Sequence, residues 1–265
     1  GYKTGYVMSI DATASGLQIM SALSGCKDTA RVCNMLNTGT REDVYQMIAE
    51  KMNILLNGKY GVNRGDVKKP CMTHFYNSLA TPERMFNKEQ LKAFYSTLDG
   101  LMPGAMEVMD AINEYWDYDN DVHQWSLPDG HVARVPVTEM SDVRIEVDEL
   151  DHRTFTYRYN KQQPSDNYRS LVANIVHSVD GYVAREMVRK CHDMGIELVH
   201  IHDCFVFSPD YLQAVSQTYR EVLADIADSD LLSDILSEIS GGHVEVVKLS
   251  TNLSKDILNS EYMLS

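Results

Sequence analysis

The sequence predicts an α+β fold, with short strands near both ends of the chain and mainly helical sequence between them. Three observations predict it. Apolar runs of strand length stand at Val7–Ile10 and Leu198–Ile201, and each ends in an aspartate, Asp11 and Asp203. Apolar residues recur at helical spacing over long stretches of the middle. Residues 122–160 change character, to short runs around a Pro-Asp-Gly turn.

Taken in order, residues 5–11 read as a strand, and Ser15–Leu23 has small and apolar residues at helical spacing. Thr40 is the expected N-cap of a helix from Glu42 to Leu56, with Val44, Ile48, Met52 and Leu55 inward and Asn57, Gly58 and Gly61 ending it. A second helix is expected over Asp66–Ser78, with Pro70 near its first turn. Lys88–Leu101 and Gly104–Trp116 also read as helices. HQWSLPDGHVARVPV predicts two strands around its turn, and Asp142–Tyr159 adds β-rich sequence. Gln162–Asn167 reads as a loop, and Ser170–Met194 as a long helix with Val172, Ile175, Val176, Val179 and Val183 inward. After the Asp203 strand come another strand from Val206 and a helix from Pro209 to Asp225. The tail predicts a short helix, a β-like HVEVVKL, and DILNSEYMLS. There is no internal repeat and no low-complexity linker.

At 265 residues the chain can bury a sizeable core, as one large domain or two subdomains. No apolar stretch approaches the ~20 residues that span a bilayer, and the N-terminus lacks the pattern of a secretory signal; no membrane association is expected. The five cysteines have no metal-ligand pairing, which points to reduced thiols. The net charge of −14 counts against simple nucleic-acid binding. Arg64, Lys68 and Lys69 nonetheless cluster, while the acidic excess is heaviest in 107–121 and 221–238. A local basic site in an acidic chain implies that something else supplies much of any grip on phosphate backbones.

Chemistry enters with the two aspartates. A carboxylate ending a buried strand is costly unless something binds it. Two brought together repel, and a divalent cation between them relieves both problems. The Asp11 segment, D-A-T-A-S-G-L-Q, turns from strand to helix, and Gln18 can bond backbone or substrate; an aspartate before a helix is also a common cap. Arg64, Lys68 and Tyr76 are four and then eight residues apart, a broad stripe on one helix face. Arginine and lysine there suit a triphosphate, with the tyrosine reaching base or ribose; a solvated face with one core tyrosine has the same pattern. His177, in NIVHSVDG, is either a site residue or a core histidine.

These segments occur together in one order, and in that order they resemble motifs A, B and C of the single-subunit RNA polymerases of bacteriophages and mitochondria. That family has D-x-x-x-S-G-x-Q, R-x-x-x-K-x-x-x-x-x-x-x-Y-G and H-D-S-F; here stand DATASGLQIMSA, RGDVKKPCMTHFYNS and IHDCF. RVCNMLNTGTREDVYQMIAEKMN, WSLPDGH, NIVHSVDG and NLSKDILNSEYMLS extend the resemblance over nearly the whole chain. It implies a right-hand polymerase: an antiparallel palm sheet with helices, from 1–36 (motif A) and 177–265 (motif C and tail), and mainly helical fingers at 37–176. The fingers would hold motif B (64–78) and the β-rich insertion 122–160. The family's N-terminal domain and thumb have no counterpart in this sequence, which looks like the C-terminal subunit of a split, two-subunit phage enzyme. A second polypeptide supplying them is the implied partner, beside DNA template, RNA product and NTPs, in the cytoplasm of an infected bacterium.

The resemblance also implies roles. Asp11 and Asp203 would bind two Mg²⁺ ions, with the backbone carbonyl of Ala12 as a further ligand. Arg64 and Lys68 would hold the phosphates, and Lys68 would protonate the leaving group. Tyr76 would close against the ribose with His177 beside it, selecting ribonucleotides. Tyr45 and Lys69 would touch the template, and the Ser265 carboxylate would lie near the centre. Two departures stand out: Asn77 replaces the glycine after the motif B tyrosine, and Cys204 replaces the usual serine. Two other readings remain: a DNA polymerase of the related right-hand family, which H-D-C-F fits poorly, and a non-catalytic nucleic-acid-binding scaffold, which has no need of both aspartates, Lys68 and Tyr76 together.

Overall fold

The computed structural model describes residues 5–137, 139–161 and 169–265, and the loop expected at Gln162–Asn167 lies outside them. The fold is α+β, as expected. A three-stranded antiparallel sheet is assembled from both ends of the chain: β1 (Met8–Asp11), β6 (Val199–Ile201) and β7 (Cys204–Phe207), in the order β1-β7-β6. β1 pairs with β7 from Met8 opposite Phe207 to Asp11 opposite Cys204. Ile10, Phe205 and Phe207 point inward, while Val7, Val199 and Ile201 are 63%, 65% and 67% exposed. The apolar runs are therefore strands, but β6 is not a buried one and only Ile10 of the first run is buried. β1 and β6 are the outer strands of this small sheet, so little packs outside them.

The helical mass lies behind the sheet and beside it. α1 (Ser15–Ser24) is buried along nearly its whole length. It packs on α7 (Pro103–Asn113), α8 (Arg169–Asp193) and α9 (Leu212–Asp228). Gly104 lets α7 come this close: a Cβ there would overlap Cys26 and the Ser24 hydroxyl. Lys248, half-buried, donates its Nζ to the Ala22 and Ile226 carbonyls at 3.4 and 3.0 Å, tying α1 to the end of α9. α6 (Lys88–Leu101) has the expected bounds, because Asn87 and Gln90 form a capping box at its start. Two short helices escaped the periodic reading, α2 (Lys27–Val32) and α5 (Ala80–Met85).

Other boundaries differ for identifiable reasons. α3 (Val44–Leu55) is capped by Asp43, whose carboxylate accepts the Tyr45 and Gln46 N–H groups, and not by Thr40, which stays in the exposed loop before it. α4 (Arg64–His74) starts earlier than expected, because Asn63 and Asp66 cap each other's backbone. Pro70 consequently sits in the helix interior, where the carbonyl it leaves unpaired is that of Asp66 in the exposed first turn. The tail adds α10 (Leu231–Ser240) and α11 (Leu253–Leu258). HVEVVKL is extended without being a strand: its partner is α10, where the Ser237 and Ser233 hydroxyls accept the Val244 and Val246 N–H groups at 2.9 and 3.0 Å.

The β-rich stretch forms two separate hairpins. β2 (Val122–Ser126) and β3 (Val132–Pro136) pair around the Pro-Asp-Gly turn. This hairpin is docked: Trp125 Nε1 donates to Ser178 Oγ of α8 at 3.0 Å, the Ser126 N–H donates to Glu238 of α10 at 2.9 Å, and Asp129 pairs with Arg185. β4 (Glu139–Val147) and β5 (Arg153–Lys161) form a longer, exposed ribbon. No helix among the described residues is long and apolar enough to cross a membrane.

Candidate functional site

A cleft of about 520 Å³ opens where the β1 and β7 ends face α4. Its wall includes Asp11, Ala12, Tyr45, Arg64, Lys68, Tyr76, Asp203 and Ser265, residues spread from one end of the sequence to the other. Asp11 ends β1 opposite Cys204. Asp203 stands in the tight turn between β6 and β7, where His202 takes a left-handed backbone (φ 55°) so that the chain can reverse in two residues. The Ala12 N–H donates to the Asp203 carbonyl at 3.1 Å, joining the two turns directly. Ser265 pairs with Asp11 through both backbone bonds, at 3.2 and 2.9 Å. Asp11 is exposed and Asp203 half-buried, so the desolvation argument made from buried strands does not apply to Asp11.

That argument applies to a carboxylate the motif reading passed over, Asp180 on α8. Burial raises its carboxyl above the ordinary value, and the Asp203 charge raises it further. The same charges act on their neighbours. Tyr76 is raised by burial and then by Asp180 and Asp203. The Cys204 thiol is raised chiefly by its hydrogen bond to the Asp11 carboxylate, and so stays protonated. Cys204 in place of serine therefore still offers a donor to Asp11.

The opposite wall is basic. Tyr45 forms its floor, with the Arg64 guanidinium 5.4 Å and the Lys68 ammonium 5.9 Å from its ring centre. Burial pushes the Tyr45 hydroxyl up to about 12. Arg64 Nε donates to Asp43 at 2.6 Å, so the residue that caps α3 also aims the arginine of α4. Tyr76 lies just past the end of α4 rather than on its face, and is delivered by the turn that follows. Asn77 makes that turn with a left-handed backbone (φ 63°), and its side-chain N–H donates to Asn113 Oδ1 at 2.8 Å. Asparagine tolerates this conformation better than most residues, which accounts for its standing where a glycine was expected. Gly16 lets the Tyr76 hydroxyl approach α1, since a Cβ there would lie 3.3 Å from it.

Two expected site residues stand outside this wall. His177 is exposed on α8, with its ring centre 4.6 Å from that of Tyr76 at the cleft's margin. Lys69 faces a shallow groove with Gly65, Lys68, Met72 and Thr73. Gln18 has no access to a substrate. It is fully buried, donating Nε2 to Thr13 Oγ1, the Cys33 carbonyl and the Met263 carbonyl at 3.2, 3.0 and 3.1 Å. Its Oε1 accepts from Tyr219 at 2.7 Å. Sequence reading also passed over Asp43, and over Arg41, which lines the cleft from the loop before α3. Among the described residues a Glu146, Asp148 and His152 group could hold a cation, but it lies at the exposed end of the β4–β5 ribbon.

The family description "DNA-dependent RNA polymerase" matches residues 1–129 and 124–262. The chain belongs to that family. A DNA-directed RNA polymerase of Pseudomonas phage phiKMV is 25% identical over 250 residues, spanning 77% of this chain and 30% of its own length. The chain thus matches under a third of that relative. Among solved structures, the POL domain of Pol1 from M. smegmatis, in complex with DNA primer-template and dNTP, covers 87% of the chain and is covered over 38% of its own, with a TM-score of 0.51 at 15% identity. At that identity the likeness speaks to the polymerase fold alone.

Proposed function

We propose that this chain is the catalytic part of a phage-type DNA-directed RNA polymerase and carries out template-directed ribonucleotidyl transfer. The observation that carries the proposal is the cleft itself, with Asp11 and Asp203 on one wall and Arg64 and Lys68 on the other. In this reading 1–36 and 177–265 are palm and 37–176 fingers.

The donor chemistry fits magnesium. Two carboxylates and the Ala12 carbonyl are hard oxygen ligands, the donor set that suits this ion. Two Mg²⁺ held by Asp11, Asp203 and Ala12 would acidify the RNA 3′-hydroxyl and neutralise the triphosphate. Arg64 and Lys68 hold the phosphates, and Lys68 hands a proton to the departing pyrophosphate. Tyr76, confined by Gly16 and by the His177 ring, closes against the ribose and reads its 2′-hydroxyl. Tyr45 sets the direction of both cations and, with Lys69, meets the template.

A net charge of −14 supports a further source of grip on DNA and RNA, a second polypeptide bearing thumb and N-terminal domain, acting in the cytoplasm of the infected host. The exposed Tyr6, Val7, Val199 and Ile201 supply apolar surface for it around the outer strands.

The test is NTP incorporation on a primed single-stranded DNA template, by the chain alone and together with that polypeptide. The combination should extend RNA, and Tyr76→Phe in it should incorporate dNTPs more readily than wild type. No templated extension by the combination contradicts the proposal, and an unchanged rNTP:dNTP preference contradicts the role of Tyr76.

A further inference from the structure

The loop between α2 and α3 is bolted to the turn that carries Asp11. Asn34, buried and held at a left-handed φ of 66°, accepts the Glu42 N–H at 2.7 Å and donates to the Glu42 carbonyl at 3.0 Å. The same amide donates to Thr13 Oγ1 at 3.3 Å. Arg41 precedes Glu42, so its backbone is fixed relative to Thr13, two residues from Asp11. Its side chain lines the main cleft, and also a side pocket of about 320 Å³ that shares Thr13, Ala14, Tyr45 and Arg64 with it.

The charges around the cleft leave Arg41 unused. Arg64 is engaged by Asp43, which offsets much of its charge. Among the described residues Arg41 is in no ion pair, although Glu42 and Asp43 adjoin it in sequence. An exposed arginine on a pinned loop, free of partners and beside a half-neutralised one, is a pre-placed anion contact. The side pocket is lined by Glu42 and Asp43 as well as by Arg41 and Arg64, but Asp43 is paired with Arg64 and the Glu42 carboxylate accepts from Thr38 Oγ1, so Arg41 is left to meet an anion where the pocket joins the cleft.

Resting on the polymerase reading of the cleft, we infer that Arg41 is a third cation for the incoming nucleoside triphosphate and binds its terminal phosphate where cleft and side pocket meet. Arg64 and Lys68 then serve the inner phosphates. The contact is made before and during the chemical step alike, so it lowers KM rather than raising kcat.

The experiment measures KM and kcat for NTP on a primed template, with the active complex carrying wild-type, Arg41→Ala or Arg41→Lys chain, and inhibition by inorganic tripolyphosphate and by pyrophosphate. Arg41→Ala should raise KM roughly ten- to hundredfold, as loss of one charge-assisted contact does, with kcat little changed. Arg41→Lys should recover much of the loss. Tripolyphosphate and pyrophosphate both carry the terminal phosphate, so each should inhibit Arg41→Ala more weakly than wild type. A KM in Arg41→Ala equal to wild type, or a loss confined to kcat, overturns the inference while leaving the polymerase reading intact. A wild-type complex without templated incorporation overturns both.

Discussion

The turn carrying Asp11 and the β4–β5 ribbon are both short excursions of backbone, and they are held in opposite ways. Around the turn, the Gln18 amide joins Thr13, Cys33, Met263 and Tyr219, residues up to 245 positions from it in the chain. Its bonds to Cys33, Met263 and Tyr219 are all buried. In the ribbon, the register itself sorts the side chains. Val143, Ile145, Phe155, Tyr157 and Tyr159 fall on one face, and the Asp142–Arg158 ion pair and Arg144 on the other. Phe155 and Tyr157 are 50% and 58% exposed, and the ribbon pairs mainly with itself. Chemistry that needs fixed distances is thus placed on long-range buried polar bonds, while the ribbon depends on local pairing alone. The small outer strands are tolerable near the cleft because Gln18 holds the Asp11 turn from behind, in addition to its backbone bonds to Asp203 and Ser265.

The contrast predicts very different costs of mutation. Gln18→Ala strips buried partners from Tyr219 and two carbonyls, and should cost about 3 kcal/mol or more in a urea melt. A loss below about 1 kcal/mol would show that the network is not what holds the turn. Gly104→Ala forces α7 away from α1, and should cost about 1–3 kcal/mol by the same measurement. Phe155→Ser in the ribbon should stay within about 0.5 kcal/mol of wild type; a large loss would mean that its apolar face is buried against something in solution.

A smaller and pH-dependent effect is expected at Asp180. Burial and the Asp203 charge raise its folded-state carboxyl above the ordinary 3.8. Below that ordinary value the group is protonated in both folded and unfolded chains and carries no penalty. As pH rises through the raised folded value the ionised group destabilises the fold. Asp180→Asn, measured without divalent ions, should therefore raise Tm at neutral pH, and the gain should disappear below pH 3.8. An equal gain at both pH values would place its origin elsewhere than in titration.

How much of this was legible in the sequence depends on the range of the interaction concerned. α6 could be placed to the residue because periodicity and a capping box coincide. The two-residue turn at His202–Asp203 and the motif order were readable for the same local reasons. α2 and α5, six residues each, are too short to display a period. The alternation in HVEVVKL was real, but serines of α10 replaced the partner strand, and no local signal distinguishes the two. Asp180 was not singled out in the sequence, because nothing local on a long helix marks it and only the tertiary approach of the β6–β7 turn makes it a charge neighbour of Asp203. Arg41 was hidden in a charged run that read as the start of a helix. Lys69 and His177 were legible as polar residues near the site but not as residues at its margin, because one turn of helix decides which side faces the cleft.

In the proposed mechanism Asp11 and Asp203 act together on one nucleotide in this cleft. The most direct measurement is the templated NTP incorporation rate, in the active complex, of Asp11→Asn and of Asp203→Asn, with thermal melts as the folding control. Each substitution removes a negative charge from the proposed metal-holding pair without changing shape, and each should lower the rate by about three orders of magnitude or more with Tm little changed. Wild-type-like incorporation by either variant would contradict the account.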